Sequence, residues 1–166
     1  MNEHGGLSHV SADGAARMVD VSAKPVTSRF ASAEAWVRLD AAVAEQLRTS
    51  GGMAKGNVLE TARLDGVLGA KHTPLLIPMC HTLAIDDVQV DAELAGEAVR
   101  IVAAVRCEGK TGVEMEAMTA AAVAALTVYD MVKSAGKAAE IGPIRLLEKR
   151  GGKSGTWKRE AKHGQD

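Results

Sequence analysis

Three runs of this chain alternate with a period of two, and that alternation limits what it can fold into more than any other feature. From Phe30 to Leu39, the residues Ala31, Ala33, Ala35, Val37 and Leu39 fall on one face. Phe30, Ser32, Glu34, Trp36 and Arg38 fall on the other. Val88, Val90, Ala92 and Leu94 share a face in a second run, and Val99, Ile101, Ala103, Val105 and Cys107 in a third. Successive side chains of a strand point to opposite faces, so each run reads as a half-buried strand. Ala95-Gly96-Glu97 between the second and third runs predicts a hairpin.

The intervening segments carry helix punctuation. Asp40 is placed to cap a short helix to about Arg48, stopped by Ser50-Gly51-Gly52. Asn57 is placed to cap a second helix to about His72. Pro74 and Pro78 then predict an extended loop over Thr73–Leu83, because proline lacks the N–H and crowds the preceding turn. Val113 to about Ser134 reads as the longest helix, rich in Ala, with Gly136 beyond its end. A last strand is expected over Gly142–Glu148, leading into the glycine-rich Lys149–Gly155. The order is strand, helix, helix, strand, strand, helix, strand. With one helix set aside this is the split βαβ arrangement. The expected class is α+β, ferredoxin-like, with helices on one face of an antiparallel sheet plus one additional helix. Residues 1–16 read as a flexible N-terminal tail, 17–156 as a single catalytic domain and 157–166 as a polar C-terminal tail.

Composition narrows the function. Lys plus Arg total 20 and Asp plus Glu 21, a net charge of −1, so the molecule lacks the overall basic field of nucleic-acid binders. Aromatic residues are 2%, too few for base-stacking platforms. With so few rings the core is built from small aliphatics, and part of the apolar surface is expected to be buried between subunits. The two cysteines, Cys80 and Cys107, match neither a disulfide framework nor a zinc pattern. The richest apolar stretch, Ala117–Leu126, is short of the roughly 20 residues that cross a bilayer, and residues 1–16 lack the apolar core of a leader. The expectation is a cytoplasmic protein with no membrane and no nucleic-acid partner.

Four clusters can carry chemistry. Met79-Cys80-His81 follows Pro78, where a histidine can serve as donor or proton carrier, or simply satisfy local backbone. Lys110-Thr111-Gly112-Val113-Glu114-Met115-Glu116 opens the long helix, where backbone N–H groups favour anions; Glu114 and Glu116 are also ordinary first-turn charges. Asp130 and Lys133, three apart, share a helix face as a reactive pair or as a surface ion pair. Lys149-Arg150-Gly151-Gly152-Lys153-Ser154-Gly155 can approach a phosphate closely or form a basic tail. It is not a Walker A loop, since Leu147 stands where glycine is required. Arg29, Lys55 and Lys71 add dispersed positive charge. Local charge without net basicity suits a small molecule carrying a polyphosphate.

Taken together, six blocks resemble the signature of the MoaC family, the cyclic pyranopterin monophosphate synthases of molybdenum cofactor biosynthesis. They are Met18–Lys24, Lys55–Val58, Ile77–His81, Lys110–Ala117, Leu126–Met131 and Gly151–Gly155, in the family's order. The chain departs from the usual pattern at Thr82, where relatives often have proline, and at Met79, where leucine is usual. The resemblance implies a lyase that converts 3′,8-cyclo-7,8-dihydroguanosine 5′-triphosphate to cyclic pyranopterin monophosphate with release of pyrophosphate. It implies a hexamer, a trimer of dimers, with active sites at subunit interfaces. No cofactor is required, although Mg²⁺ can accompany the triphosphate. By position, Asp130 and Lys133 match catalytic residues. Met79, Cys80, His81, Glu114, Met115 and Glu116 match substrate-binding segments. Lys55, Lys149 and Lys153 match or adjoin lysines of the pocket, and Arg29 matches a basic residue reaching in from another subunit. The alternative is a non-catalytic ferredoxin-like module that binds nucleotides or regulates a partner.

Overall fold

The structure, a computed structural model, describes residues 17–160; the tail expected over residues 1–16 and the end of the C-terminal tail, 161–166, lie outside the described residues. The elements are β1 (Thr27–Arg38), α1 (Ala41–Ser50), α2 (Val58–Leu76), β2 (Asp87–Ala95), β3 (Ala98–Gly109), α3 (Glu114–Val132), β4 (Glu140–Arg150) and β5 (Trp157–Lys158). They form one antiparallel sheet in the order β2-β3-β1-β4-β5. The first four strands reproduce the split βαβ order, with α2 and α3 as the crossover helices and α1 as the additional one. The fold is the α+β, ferredoxin-like arrangement expected.

The alternation sets which face is buried. Ala31, Ala33, Ala35 and Val37 on β1, and Val99, Ile101, Ala103 and Val105 on β3, are fully buried beneath the helices. The largest completely buried side chain is Ile101, so the core is packed from aliphatic residues no bulkier than isoleucine. Backbones must therefore approach closely. Gly66 and Gly69 on α2 allow this: a Cβ at Gly69 would meet Val123 Cβ at 2.9 Å, and one at Gly66 would meet a Val90 methyl at 3.0 Å. Thr127 Oγ1 ties the two helices further by donating to Asp65 Oδ2 at 2.9 Å. Helix α3 is long and apolar enough to cross a membrane, but Ala117, Ala120, Ala121, Ala124, Ala125 and Val128 are all fully buried in this core.

On the open face, Glu34 is only 3% exposed. Its carboxylate accepts from Arg145 Nε at 2.7 Å and from Arg100 Nη2 at 3.1 Å. Burial pushes this carboxyl up, but the two guanidinium groups outweigh that and hold it below its ordinary range.

Three local expectations change. Helix α2 does not stop at His72; it runs through Pro74 to Leu76. Thr73 is fully buried, its hydroxyl donates to the Gly69 carbonyl at 3.1 Å, and the Ile77 N–H closes onto Thr73 O at 2.9 Å. Tertiary packing carries the helix past a proline that removes a single donor near its end. Asp40 occupies the first cap position without a side-chain cap bond, whereas Asn57 Oδ1 accepts from Glu60 N as expected. Finally, Trp157 and Lys158, read from the sequence as the start of a polar C-terminal tail, pair with Lys149 and Glu148 as an edge strand. The hairpin is tight, with Gly96 at φ 64 in the first loop position, which suits a type II′ turn.

Candidate functional site

Two adjoining cavities open where the start of α3 meets β1 and β4. The first, about 460 Å³, is lined by Met79, Cys80, His81, Glu114, Met115 and Glu116, together with Val19, Val21, Lys24, Leu83, Thr111 and Gly112. The second, about 420 Å³, is lined by Arg29, Lys149 and Lys153 with Lys24, Lys110 and Arg150, and by Gly151 and Ser154 of the glycine-rich segment. Lys24, Thr111, Gly112 and Glu114 belong to both walls. One compartment is apolar with carboxyl groups and a histidine; the other is cationic.

Local structure explains each placement. The turn after α2, closed by Cys80 N donating to Ile77 O at 3.0 Å, presents Met79, Cys80 and His81 towards the first turn of α3. Glu116 is 3% exposed. Burial pushes its carboxyl above the ordinary range, and the Glu114 carboxylate beside it adds to the shift. Burial also raises the Cys80 thiol, reinforced by Glu116, so Cys80 offers a neutral S–H rather than a thiolate nucleophile.

In the cationic compartment, β1 and β4 pair so that Ala31 faces Lys149, which brings Arg29 and the end of β4 together. Arg29 Nε donates to Gly109 O at 3.2 Å, and Lys149 Nζ donates to Ser154 Oγ at 2.6 Å. Gly152, at φ 71, lies so close to the Arg29 guanidinium that a Cβ there would sit 1.8 Å from Nη1. Glycine is required by both the conformation and the approach. Arg29 thus lies in the same chain's compartment as Lys149.

Asp130, Lys133 and Lys55 stand elsewhere. Lys55 Nζ donates to Asp130 Oδ2 at 2.6 Å, and Lys133 pairs with the other carboxylate oxygen. The Lys133 and Lys55 ammonium groups hold the Asp130 carboxyl down to about 2, and Asp130 in turn raises Lys133. Both cavities close around Glu114, at the opposite end of α3. Asp130 lies sixteen positions along α3 from Glu114, about 24 Å at about 1.5 Å per residue. Within one chain the candidate residues therefore form two groups.

Lys24, which stands outside the four clusters read from the sequence, and Lys110, which opens one of them without a role of its own, both line the cationic compartment. Lys110 Nζ donates to Ser22 O at 2.7 Å, closing the segment before β1 over the cavities. Lys71 lines neither compartment. Among the described residues no group of three or more His, Cys, Asp or Glu side chains has the spacing of a metal site.

Comparison with known proteins gives this geometry a context. Residues 18–152 match the model of the MoaC family. The chain is 53% identical over 153 residues to the cyclic pyranopterin monophosphate synthase of Streptomyces avermitilis, covering 92% of this chain and 89% of that one. It is 53% identical over 151 residues to the protein of that name from Corynebacterium efficiens, covering 91% and 97%. A Chloroflexus aggregans relative of the same name is 53% identical over 156 residues, 93% and 94% of the two chains. The family match takes in β1 through β4, the Asp130 cluster and every residue named in the two compartments except Lys153 and Ser154, and the chain belongs to the MoaC family.

Proposed function

We propose that this chain is a cyclic pyranopterin monophosphate synthase, a lyase of molybdenum cofactor biosynthesis. It converts 3′,8-cyclo-7,8-dihydroguanosine 5′-triphosphate to cyclic pyranopterin monophosphate and pyrophosphate. The observation that carries this reading is the pair of joined compartments, one suited to a hydrogen-bonding heterocycle and one to a polyphosphate. The relatives' shared name supports it.

The chemistry assigns roles by compartment. Opening the purine and rebuilding it as a pterin takes several proton transfers. His81 is placed to carry protons, and Glu116, buried on the same wall, to hydrogen-bond the guanidine-like edge of the base. Met79, Cys80 and Met115 shape the wall. Arg29, Lys149 and Lys153 hold the triphosphate and stabilise the charge that develops on pyrophosphate when a sugar hydroxyl attacks the nearest phosphorus. No change of oxidation state occurs, so the conversion calls for no redox cofactor; Mg²⁺ can accompany the triphosphate.

Asp130, Lys133 and Lys55 enter from a neighbouring subunit. Their separation along α3 supports a site shared between chains. The assembly is a hexamer, a trimer of dimers, in the cytoplasm. In the isolated chain Asp130 is a weak base, pinned between two lysines, so substrate must part this cluster before Asp130 and Lys133 exchange protons.

Incubation with the cyclised guanosine triphosphate tests the proposal. Pterin and stoichiometric pyrophosphate are expected. Tight binding without pyrophosphate would instead identify a non-catalytic nucleotide-binding module.

A further inference from the structure

Glu114 is a carboxylate on the wall of a compartment otherwise suited to anions. It lines both cavities. Its side chain folds back over Gly112, so closely that a Cβ at that glycine would lie 1.9 Å from Oε2. That places Oε1 3.6 Å from Lys149 Nζ, with both side chains partly buried. Lys149 is also the cation that anchors Ser154 of the glycine-rich segment. A fixed negative charge here repels a polyphosphate while occupying one of the cations that would bind it.

We propose that Glu114 is a built-in stand-in for phosphate, holding Lys149 while the compartment is empty and releasing it when a polyphosphate enters. Glu114 also lines the other cavity, beside Glu116, so its displacement by phosphate carries an acceptor towards the donor edge of the base. The polyphosphate end of a ligand thereby prepares the pocket for its heterocyclic end. This rests on the reading of the cationic compartment as the triphosphate site.

The test uses inorganic tripolyphosphate, titrated calorimetrically at low salt into the full-length protein and its variants. Glu114→Gln removes the competing charge and keeps the shape. It is expected to bind tripolyphosphate about twofold to tenfold more tightly than the parent, the scale of a partly exposed charge pair. Gly112→Ala displaces the Glu114 carboxylate without altering its charge, and is expected to act in the same direction. In a Lys149→Met background, itself weaker, the Glu114→Gln gain should shrink. Equal or weaker binding by Glu114→Gln would overturn the proposal, as would a full gain surviving in the Lys149→Met background. Absence of tripolyphosphate binding in every variant would overturn it too. Product formation from the cyclised nucleotide, measured on the parent protein, separates these outcomes from failure of the synthase assignment, because a working synthase without the Glu114 effect loses only the stand-in.

Discussion

Lys55 and Asp130, 75 residues apart in sequence, meet at the far end of α3: Lys55 Nζ donates both to Asp130 Oδ2 at 2.6 Å and to its backbone carbonyl at 3.0 Å. A lysine that bonds a helix's carbonyl end and a carboxylate at once is held by two acceptors and complements the negative end of the helix dipole. The contact fixes the loop before α2 against the last turn of α3, and delivers a three-charge cluster to the surface.

Asp130→Asn keeps the shape of that carboxylate and removes its charge. The variant is expected to fold and assemble, but to form pterin at least about a hundredfold more slowly, the lower end of general acid–base effects. Single-turnover product formation beside a thermal melt checks this. Normal turnover would place the proton chemistry elsewhere.

The same carboxyl predicts a pH window. Its folded value is lowered from 3.8 to about 2, so the cluster's contribution to stability is fully present above pH 3.8. It is lost as pH falls from there through about 2. NMR titration of the Asp130 side-chain carboxyl should show the low midpoint, moving upward in Lys133→Met.

Two inactive proteins should rescue one another. Lys149→Ala disables the cationic compartment and Asp130→Asn the distant cluster; each alone is expected to lose about tenfold to a hundredfold or more in activity while remaining folded. If sites are shared between chains, equal mixtures reassembled from separated subunits recover about a quarter of wild-type activity, the fraction of sites that draw both halves from intact surfaces. Light scattering should at the same time give several times 17.3 kDa. Mixtures that stay inactive would contradict a shared site.

The small-residue packing is directly testable. Gly69→Ala would press a methyl group against Val123, and is expected to destabilise by about 1–3 kcal/mol. Urea denaturation gives the value; Gly96→Ala, where a Cβ meets open space, isolates the separate cost of its positive φ.

Glu34→Gln tests the open face of the sheet. It leaves Arg100 and Arg145 facing each other without the buried anion, at a cost of about 1–3 kcal/mol after allowance for their partial exposure. Because the Glu34 carboxyl is lowered in the fold, its contribution is complete above pH 4.5 and fades below it. The difference between parent and variant in urea midpoint should therefore narrow in acid.

Much of this fold was legible because the residues of β1, β2 and β3 obey a strict two-residue alternation, and burial on one face depends on little else. Asn57 was readable as a cap because capping is local. Pro74 misled for the opposite reason: a buried Thr73, seen only once α2 packs, keeps the helix going. Trp157 and Lys158 carry no local strand signal, since their order comes from pairing with β4. At the site, Met79, Cys80 and His81 are consecutive and could be found together. In the cationic compartment Lys149 and Lys153 were legible from the glycine-rich segment and Arg29 from the family resemblance, but that Lys24 and Lys110 join them was not, because these residues become neighbours only through the order β3-β1-β4.

Helix α3 carries Glu114 and Glu116 in its first turn and Asp130 in its last, so its residue count acts as a calibrated length. One inserted residue would advance everything after it by about 1.5 Å and rotate it by about 100°, taking Asp130 off the bearing of Lys55 while Glu114 stayed in place. The Gly96 turn, remote from both cavities, can absorb insertions without disturbing either end. Descendants of such a chain are free to vary that turn, whereas the span from Glu114 to Asp130 is held at a constant length by two groups of residues that never touch within one chain.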